Sequence, residues 1–298
     1  MSAQTPAPEK LARFNVSPAR RRRDRIARGT ILAATVLALI PLLLIIYYLL
    51  NKGLSSWSTS FFTTDPTGNT FFKNSSIGGI KSAIFGTIEM VALASLISVP
   101  IGVAVAVWLV EYGKNSWFAQ LVRFFVDVLT GVPSIVFGLF IYIVLIVSTG
   151  SSFAGYKGAL ALSLLMLPVV TRSAEVILLL VPDALRESAL ALGAPRWRVI
   201  FSIVLPTALP GMVTGVLLAI ARAAGETAPL LFTAAAANAT SFNLGGFMNS
   251  LPVQIYSDVT SPTTAVVNRA WGAALTLVVM ILLLNLIARL IARRSRLA

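Results

Sequence analysis

The sequence predicts an all-α integral membrane protein with six transmembrane helices. Of its 298 residues, 57% are hydrophobic and only 12% are charged, and the mean hydropathy is +0.85. The charged fraction is about half that of an ordinary soluble domain, so too few polar residues remain to build a water-facing surface. The chain has neither Cys nor His, which excludes disulfides, thiol chemistry and the commonest metal ligand.

Six apolar stretches are long enough to cross a bilayer core, which needs roughly 20 helical residues. They span residues 31–50, 83–110, 124–147, 158–181, 200–237 and 271–291. The first stretch is predicted to stay as a membrane helix, because its polar leader is longer than that of a secretory signal and no cleavage pattern follows it.

The net charge of +13 is concentrated at the two ends of the chain. Residues 1–30 form a basic leader, and residues 293–298 form a basic tail. Since basic residues avoid translocation across the membrane, both termini are predicted to be cytoplasmic. Topology thus accounts for the charge, and nucleic-acid binding is not expected. Between the helices, 51–79 is predicted to be a polar surface loop, and 251–256 a half-helix dipping toward the membrane.

The most informative segment follows the fourth span and reads DALRESALALGAPRWR, from Asp183 onward. Its apolar positions recur at helical spacing and predict a short amphipathic helix: Ala184, Leu185, Ala189 and Leu192. Asp183 suits the positive end of the helix dipole, and Gly193 followed by Pro195 suits its termination. Taken alone, this helix either docks on a partner or merely connects two spans.

The spacing in this loop resembles the signature of ABC importer permeases, which reads E-A-A, three residues, G, nine residues, I-x-L-P. Here Glu187-Ser188-Ala189 precedes Gly193, and Ile203-Val204-Leu205-Pro206 follows; only Ser188 departs from the pattern. The resemblance implies a type I ABC importer permease core over 78–292, with a coupling loop at 183–206. It also implies that four residues contact a separate ATPase subunit: Glu187, Ala189, Leu190 and Gly193.

A second informative segment surrounds Arg222, which lies near the middle of an apolar run from 209 to 239. An arginine at the centre of a membrane helix costs about 2.5–3.5 kcal/mol on insertion scales, and such residues usually face a partner or an aqueous path. Glu226 is one turn later on the same face. Gly225 and Pro229 predict a weakened helix, as in the broken helices that line transport paths. The pair either neutralises itself or lines a path.

The string RAAGETAPLL, from Arg222 onward, resembles the phosphate-specific permeases, in particular the A-type subunit of the bacterial high-affinity phosphate ABC importer, with a methionine-permease-like fold. The resemblance implies a substrate path lined by Arg222, Glu226, Thr227, Arg172 and Glu175. Arg172 has an alternative role, in which it reaches toward the lipid headgroups. Thr227 has one too, a hydrogen bond to its own backbone. Glu89 and Asp127 are expected to make polar contacts between helices.

The same resemblance implies the partners: a second homologous permease, an ATPase dimer that binds the ATP, an extracytoplasmic phosphate-binding protein, and the lipid of a bacterial inner membrane. No cofactor or metal is expected on this chain. It is not expected to be an enzyme, because the only Lys-Ser pair, Lys81-Ser82, lacks the preceding Gly of a Walker A loop. Three alternatives stay open: a permease for sulfate or molybdate, an ATP-independent channel or carrier, and a scaffold or sensor.

Overall fold

The computed structural model describes residues 18–67 and 77–294, and side chains as far as residue 290. The basic leader up to residue 17 and the tail from residue 295 lie outside the described residues. Within the described ranges the regular structure is helical, apart from an isolated antiparallel bridge between Pro66 and Gly78. The predicted all-α class is therefore confirmed.

The helices of the described ranges are, in chain order, α1 (Pro18–Ser56), α2 (Thr59–Thr63), α3 (Lys81–Val107), α4 (Trp117–Gly131), α5 (Ser134–Tyr142), α6 (Gly155–Leu179), α7 (Asp183–Ala191), α8 (Arg196–Val199), α9 (Leu205–Ala224), α10 (Ala228–Leu231), α11 (Leu251–Val259) and α12 (Thr264–Arg294). Wider π-helical turns extend α3 over Trp108–Gly113 and α5 over Ile143–Val147, and another joins α8 to α9 over Ile200–Val204. Five helical segments of the described ranges are long and apolar enough to cross a membrane, and the bent pair α4–α5 makes a sixth if counted as one span.

The chain divides into two units, residues 1–48 and 49–298. In the described part of the first unit, every side chain of α1 from Pro18 to Tyr48 is exposed. In the second unit, the last turns of α1 pack on α12: Gly53 approaches Leu275 closely, and the Ser56 hydroxyl donates to the Asn268 carbonyl over 2.8 Å. The predicted surface loop over 51–79 is thus wrong in part, since α1 continues to Ser56 and α2 follows.

The third predicted span, 124–147, is not one continuous helix. It belongs to α4 and α5, which meet at an angle of 100°. The break follows from Pro133, which has no N–H to donate and forces the preceding residue out of the helical region. Val132 accordingly has an extended ψ of 131°.

The fifth predicted span, 200–237, is too long at its carboxyl end. Helix α9 ends at Ala224, Gly225 follows, and only the short α10 resumes a helix before residue 237. Pro229 cannot donate the hydrogen bond that a continued helix would need, so it lies instead in the first turn of α10. Arg222 is consequently in the last turn of α9, and the prediction that it lies near the middle of one long span is wrong.

The central core forms where α3, α6 and α9 meet, with contributions from α10 and α11. Met90, Leu162, Met166 and Ala219 are fully buried there. The helices come close because small residues face their neighbours: a side chain at Gly102 would collide with Val170 of α6. Helix α11, which contains the half-helix predicted at 251–256, is likewise buried along Leu251, Pro252, Val253 and Gln254.

Candidate functional site

The amphipathic helix predicted after the fourth span is present as α7, with Asp183 in its first turn. Gly193 has a φ of +83°, and nothing lies within 4 Å of a Cβ placed there. Glycine is therefore required by the left-handed backbone that ends the helix and not by crowding.

The four predicted coupling residues do not share one face of α7. Glu187, Leu190 and Gly193 are exposed. Ala189 is buried in a cluster that includes Val181, Val199 and Val204, so it holds α7 against the spans. Leu192, which is 89% exposed, adds to the exposed apolar surface beside Leu190.

Arg222 and Glu226 form a loose, open pair at the end of α9. The Arg222 Nε lies 3.7 Å from Glu226 Oε1, and the side chains are 44% and 17% exposed. Among the described residues Glu226 is the only carboxylate within ion-pair distance of Arg222. Thr227 directly precedes α10, and its hydroxyl makes no capping hydrogen bond to that helix. Arg222 and Thr227 therefore keep hydrogen-bonding groups for a further partner.

Arg172 and Glu175 belong to a tighter network. Glu175 is only 3% exposed, and it accepts a hydrogen bond from Arg172 Nη1 over 3.0 Å and one from Arg123 Nε over 2.5 Å. Asp127 of α4 lies 3.7 Å from Arg172 Nε, which confirms Asp127 as a contact between helices. Arg172 thus contacts two acids, while about half of its side chain stays exposed.

Sequence reasoning missed Arg123, since it is 52 residues from Glu175 and no local pattern links the two. It also misjudged Glu89, predicted to make a contact between helices. The Glu89 Oε2 atom is buried without a hydrogen-bond partner among the described residues.

The other end of the bundle, where α11 and α12 meet, holds buried charges that the sequence did not single out. Arg269 forms a two-pronged pair with Asp258, and Gln254 also donates to that carboxylate over 2.7 Å. Lys157 is fully buried and donates to the Ser151 hydroxyl and the Ser152 carbonyl, each over 2.6 Å. These groups follow Gly- and Ser-rich loops, a context typical of exposed residues.

A cleft of about 1120 Å³ runs between α6, α9 and α12. Its polar lining includes Arg172, Thr214, Asn285 and Arg289, whereas Arg222 is not part of that lining. The structure therefore brings Arg172 together with Glu175, and Arg222 together with Glu226, as two separate charged sites.

Similarities to known proteins agree with these features. Residues 98–297 match the family model described as the binding-protein-dependent transport system inner membrane component. The phosphate transport system permease protein PstA of Yersinia pestis is 40% identical over 279 residues, covering 93% of this chain and 92% of that protein. PstA 1 of Mycobacterium tuberculosis (strain CDC 1551 / Oshkosh) is 41% identical over 281 residues, covering 93% and 92%.

Two solved structures show the fold. The inward-facing MetNI methionine ABC transporter matches with a TM-score of 0.56 at 21% identity, over 73% of this chain and 94% of that one. A bacterial alginate ABC transporter matches with a TM-score of 0.64 at 16% identity, over 92% and 96%. The chain therefore belongs to the family of binding-protein-dependent transport system inner membrane components.

Proposed function

We propose that this chain is the permease subunit of an ATP-driven importer of inorganic phosphate, forming half of the membrane path and coupling it to a separate ATPase. The observation that carries the proposal is the 40% identity to a phosphate transport system permease over 93% of the chain. The exposed helix α7 and the open Arg222–Glu226 pair supply the two features that such a subunit needs.

Phosphate suits the chemistry at Arg222. A guanidinium presents paired N–H donors that match two oxygens of a tetrahedral oxyanion. The Glu226 carboxylate reduces the net attraction, so the anion is not held too tightly to leave. It also accepts a hydrogen bond from protonated phosphate, which fully ionised sulfate cannot donate. Thr227 adds a hydroxyl that is not committed to capping α10.

The proposal includes the partners of the chain. The exposed residues Glu187, Leu190 and Gly193 of the coupling loop would contact an ATPase subunit, with Ala189 seating the helix against the spans. Each ATPase of a pair needs one such helix, so a second, homologous permease would complete the path. A phosphate-binding protein would deliver the anion on the outer side. Both termini are placed in the cytoplasm, in accord with their positive charge, and ATP would be bound by the partner ATPase alone.

Labelled phosphate uptake tests this function in cells that lack the gene. Wild type should restore uptake that vanadate inhibits, and excess sulfate or molybdate should not compete. Arg222→Ala should lower uptake about ten- to a hundredfold, the range expected for losing a hydrogen bond to a charged group, and Arg222→Lys should retain part of it. If sulfate or molybdate competes fully, the substrate assignment is wrong. If uptake is insensitive to vanadate, an ATP-independent carrier is favoured.

Co-purification of the ATPase separates coupling from passage. Gly193→Val should lose the ATPase, because a β-branched side chain at a φ of +83° strains the turn that ends α7. Gly150→Val is the matched control: Gly150 also has a positive φ, +63°, with open space around it, but it lies between α5 and α6, outside the coupling loop. Arg222→Ala should retain the ATPase. Loss of the ATPase in the Gly150 variant as well would contradict a specific role for the coupling loop.

A further inference from the structure

Two arginines hold the π-helical turn Trp108–Gly113 at the end of α3. Arg186 of α7 donates Nε to Glu111 Oε1 over 3.0 Å, and Arg123 of α4 donates to the carbonyls of Leu109 over 3.1 Å and Lys114 over 2.7 Å. The turn is thus fastened from the coupling helix on one side and from α4 on the other. Such wide turns are rare and occur frequently at functional sites.

The Arg186 guanidinium is fully engaged. Besides Glu111, it donates to the carbonyl of Val181 over 2.6 Å, the carbonyl of Leu178 over 2.9 Å and the Asp183 carboxylate over 3.0 Å. The first two carbonyls lie at the carboxyl end of α6, where helical partners run out. The side chains of Arg186 and Glu111 are both mostly buried. One rigid, planar group therefore joins the end of α6, the start of α7 and the π-helical turn.

Arg123 continues the contacts into the membrane-spanning helices. Its Nε donates to Glu175 Oε1 over 2.5 Å, and the other oxygen of Glu175 accepts from Arg172 over 3.0 Å. Hydrogen bonds and one helical turn thus form an unbroken chain from the coupling helix to the half-exposed Arg172: Arg186, Glu111, the turn Trp108–Gly113, Arg123, Glu175 and Arg172.

We propose that Arg186 and Arg123 are positioning residues that join the coupling helix to the Arg172–Glu175 pair through the π-helical turn. Ala189 packs α7 against the spans through apolar contacts, and Arg186 adds directional hydrogen bonds to the end of α3. With Arg186 in place, a displacement of α7 carries the end of α3, and Arg123 transmits it to Glu175. This inference rests on the proposed function, because it assumes that an ATPase acts on α7.

The test uses the purified complex of this chain with its ATPase and second permease, reconstituted in vesicles. The readout is the number of phosphate ions transported per ATP hydrolysed. Arg186→Gln, Glu111→Gln and Arg123→Gln should each lower this ratio about two- to thirtyfold, the range over which residues along a coupling route act. Lys114→Gln is the matched control: it removes a positive charge at the same turn, but its exposed side chain forms no ion pair among the described residues, so its ratio should equal that of wild type.

A double variant distinguishes transmission from general weakening. Since the two links are in series, Glu111→Gln combined with Arg123→Gln should lower the ratio no further than the more damaging single change. Arg186→Lys keeps the positive charge but loses the paired N–H donors of the guanidinium. Its ratio should lie between those of Arg186→Gln and wild type. Glu111→Gln preserves size and an acceptor oxygen, so it gives a folded variant if Arg186→Gln does not assemble.

A wild-type ratio in all three variants would overturn the inference, whether uptake and ATP hydrolysis are both unchanged or both fall in equal proportion. Multiplying losses in the double variant would also contradict a serial link. A wild-type complex that hydrolyses ATP without moving phosphate would instead refute the proposed function.

Discussion

Two arginine–carboxylate pairs in this chain have the same chemistry and opposite settings. Arg269 donates hydrogen bonds from Nε and Nη2 to the Asp258 carboxylate, both over 2.7 Å, and the two side chains are only 7% and 3% exposed. Arg222 and Glu226 stand 3.7 Å apart, with 44% and 17% exposed. One pair is closed and the other is open.

The difference separates a charged pair that holds helices together from one whose hydrogen-bonding groups are not committed among the described residues. Arg269 also donates to the Ile77 carbonyl, and Gln254 shares the carboxylate of Asp258, so the closed pair fastens α11 to α12 and to the segment before α3. The donors of Arg222 are not used in this way. Under the proposed function, an anion moving through the protein would replace Glu226 as their partner, whereas the donors of Arg269 are already committed to Asp258 and the Ile77 carbonyl.

The largest effect on stability is expected when the closed pair is broken. Arg269→Ala leaves Asp258 buried without its cation, and losing one partner of a buried pair typically costs about 3–5 kcal/mol. The variant should show a greatly lowered thermal midpoint in detergent and little protein in the membrane. Arg222→Ala, measured alongside, should unfold near the wild-type temperature. Equal destabilisation by the two variants would abolish the distinction between the pairs.

Glu175 is expected to give an intermediate effect, because its carboxylate is buried but its two arginines are partly exposed. Glu175→Gln should cost about 1–3 kcal/mol, the range for leaving a buried group imperfectly paired, and should also lower phosphate uptake. Asp127→Asn is the control, since its half-exposed contact with Arg172 at 3.7 Å should contribute at most about 1 kcal/mol. A larger loss of thermal stability in Asp127→Asn than in Glu175→Gln would contradict this order.

The smallest effect concerns Asp65, an acid between α2 and the Pro66–Gly78 bridge. Burial raises the pKa of Asp65, but hydrogen bonds from the Thr240 hydroxyl and backbone, helped by the charge of Lys81, lower the pKa below 3.8 overall. A depressed pKa stabilises the folded state at neutral pH, and that contribution disappears as the pH falls through it.

Asp65→Asn should therefore lower the thermal midpoint slightly at neutral pH, by at most about 1 kcal/mol in stability. The difference in thermal midpoint between Asp65→Asn and wild type should disappear as the pH drops below 3.8. Thr240→Val removes the side-chain donor and should produce a similar change. A gap that widens on acidification would show that the hydrogen bonds favour the protonated acid instead.

The sequence predicted the features that depend on local rules. Helix α7 and its glycine stop follow from apolar spacing and from the left-handed backbone at Gly193, and five of the six spans correspond to continuous membrane-length helices. The bend at Pro133 was missed because hydropathy alone reads through a break whose flanks are both apolar. The same cause displaced the end of α9, where the apolar run continues beyond Gly225.

The pairing of distant charges could not be predicted in this way. Arg222 with Glu226 and Arg172 with Glu175 follow from helical spacing, since each pair lies within one turn. Arg123 with Glu175, Arg186 with Glu111, and Arg269 with Asp258 each join residues that meet only after the helices pack. A single sequence contains no periodicity that links them.

Exchanging the charges of the open pair tests the central distinction most directly. The double variant Arg222→Glu, Glu226→Arg keeps an ion pair at the end of α9 but moves the cation by one helical turn. If Arg222 binds the transported anion, phosphate uptake in complemented cells should stay as low as with Arg222→Ala, although the protein reaches the membrane in normal amounts. Wild-type uptake by the exchanged pair would show that Arg222 and Glu226 only neutralise each other.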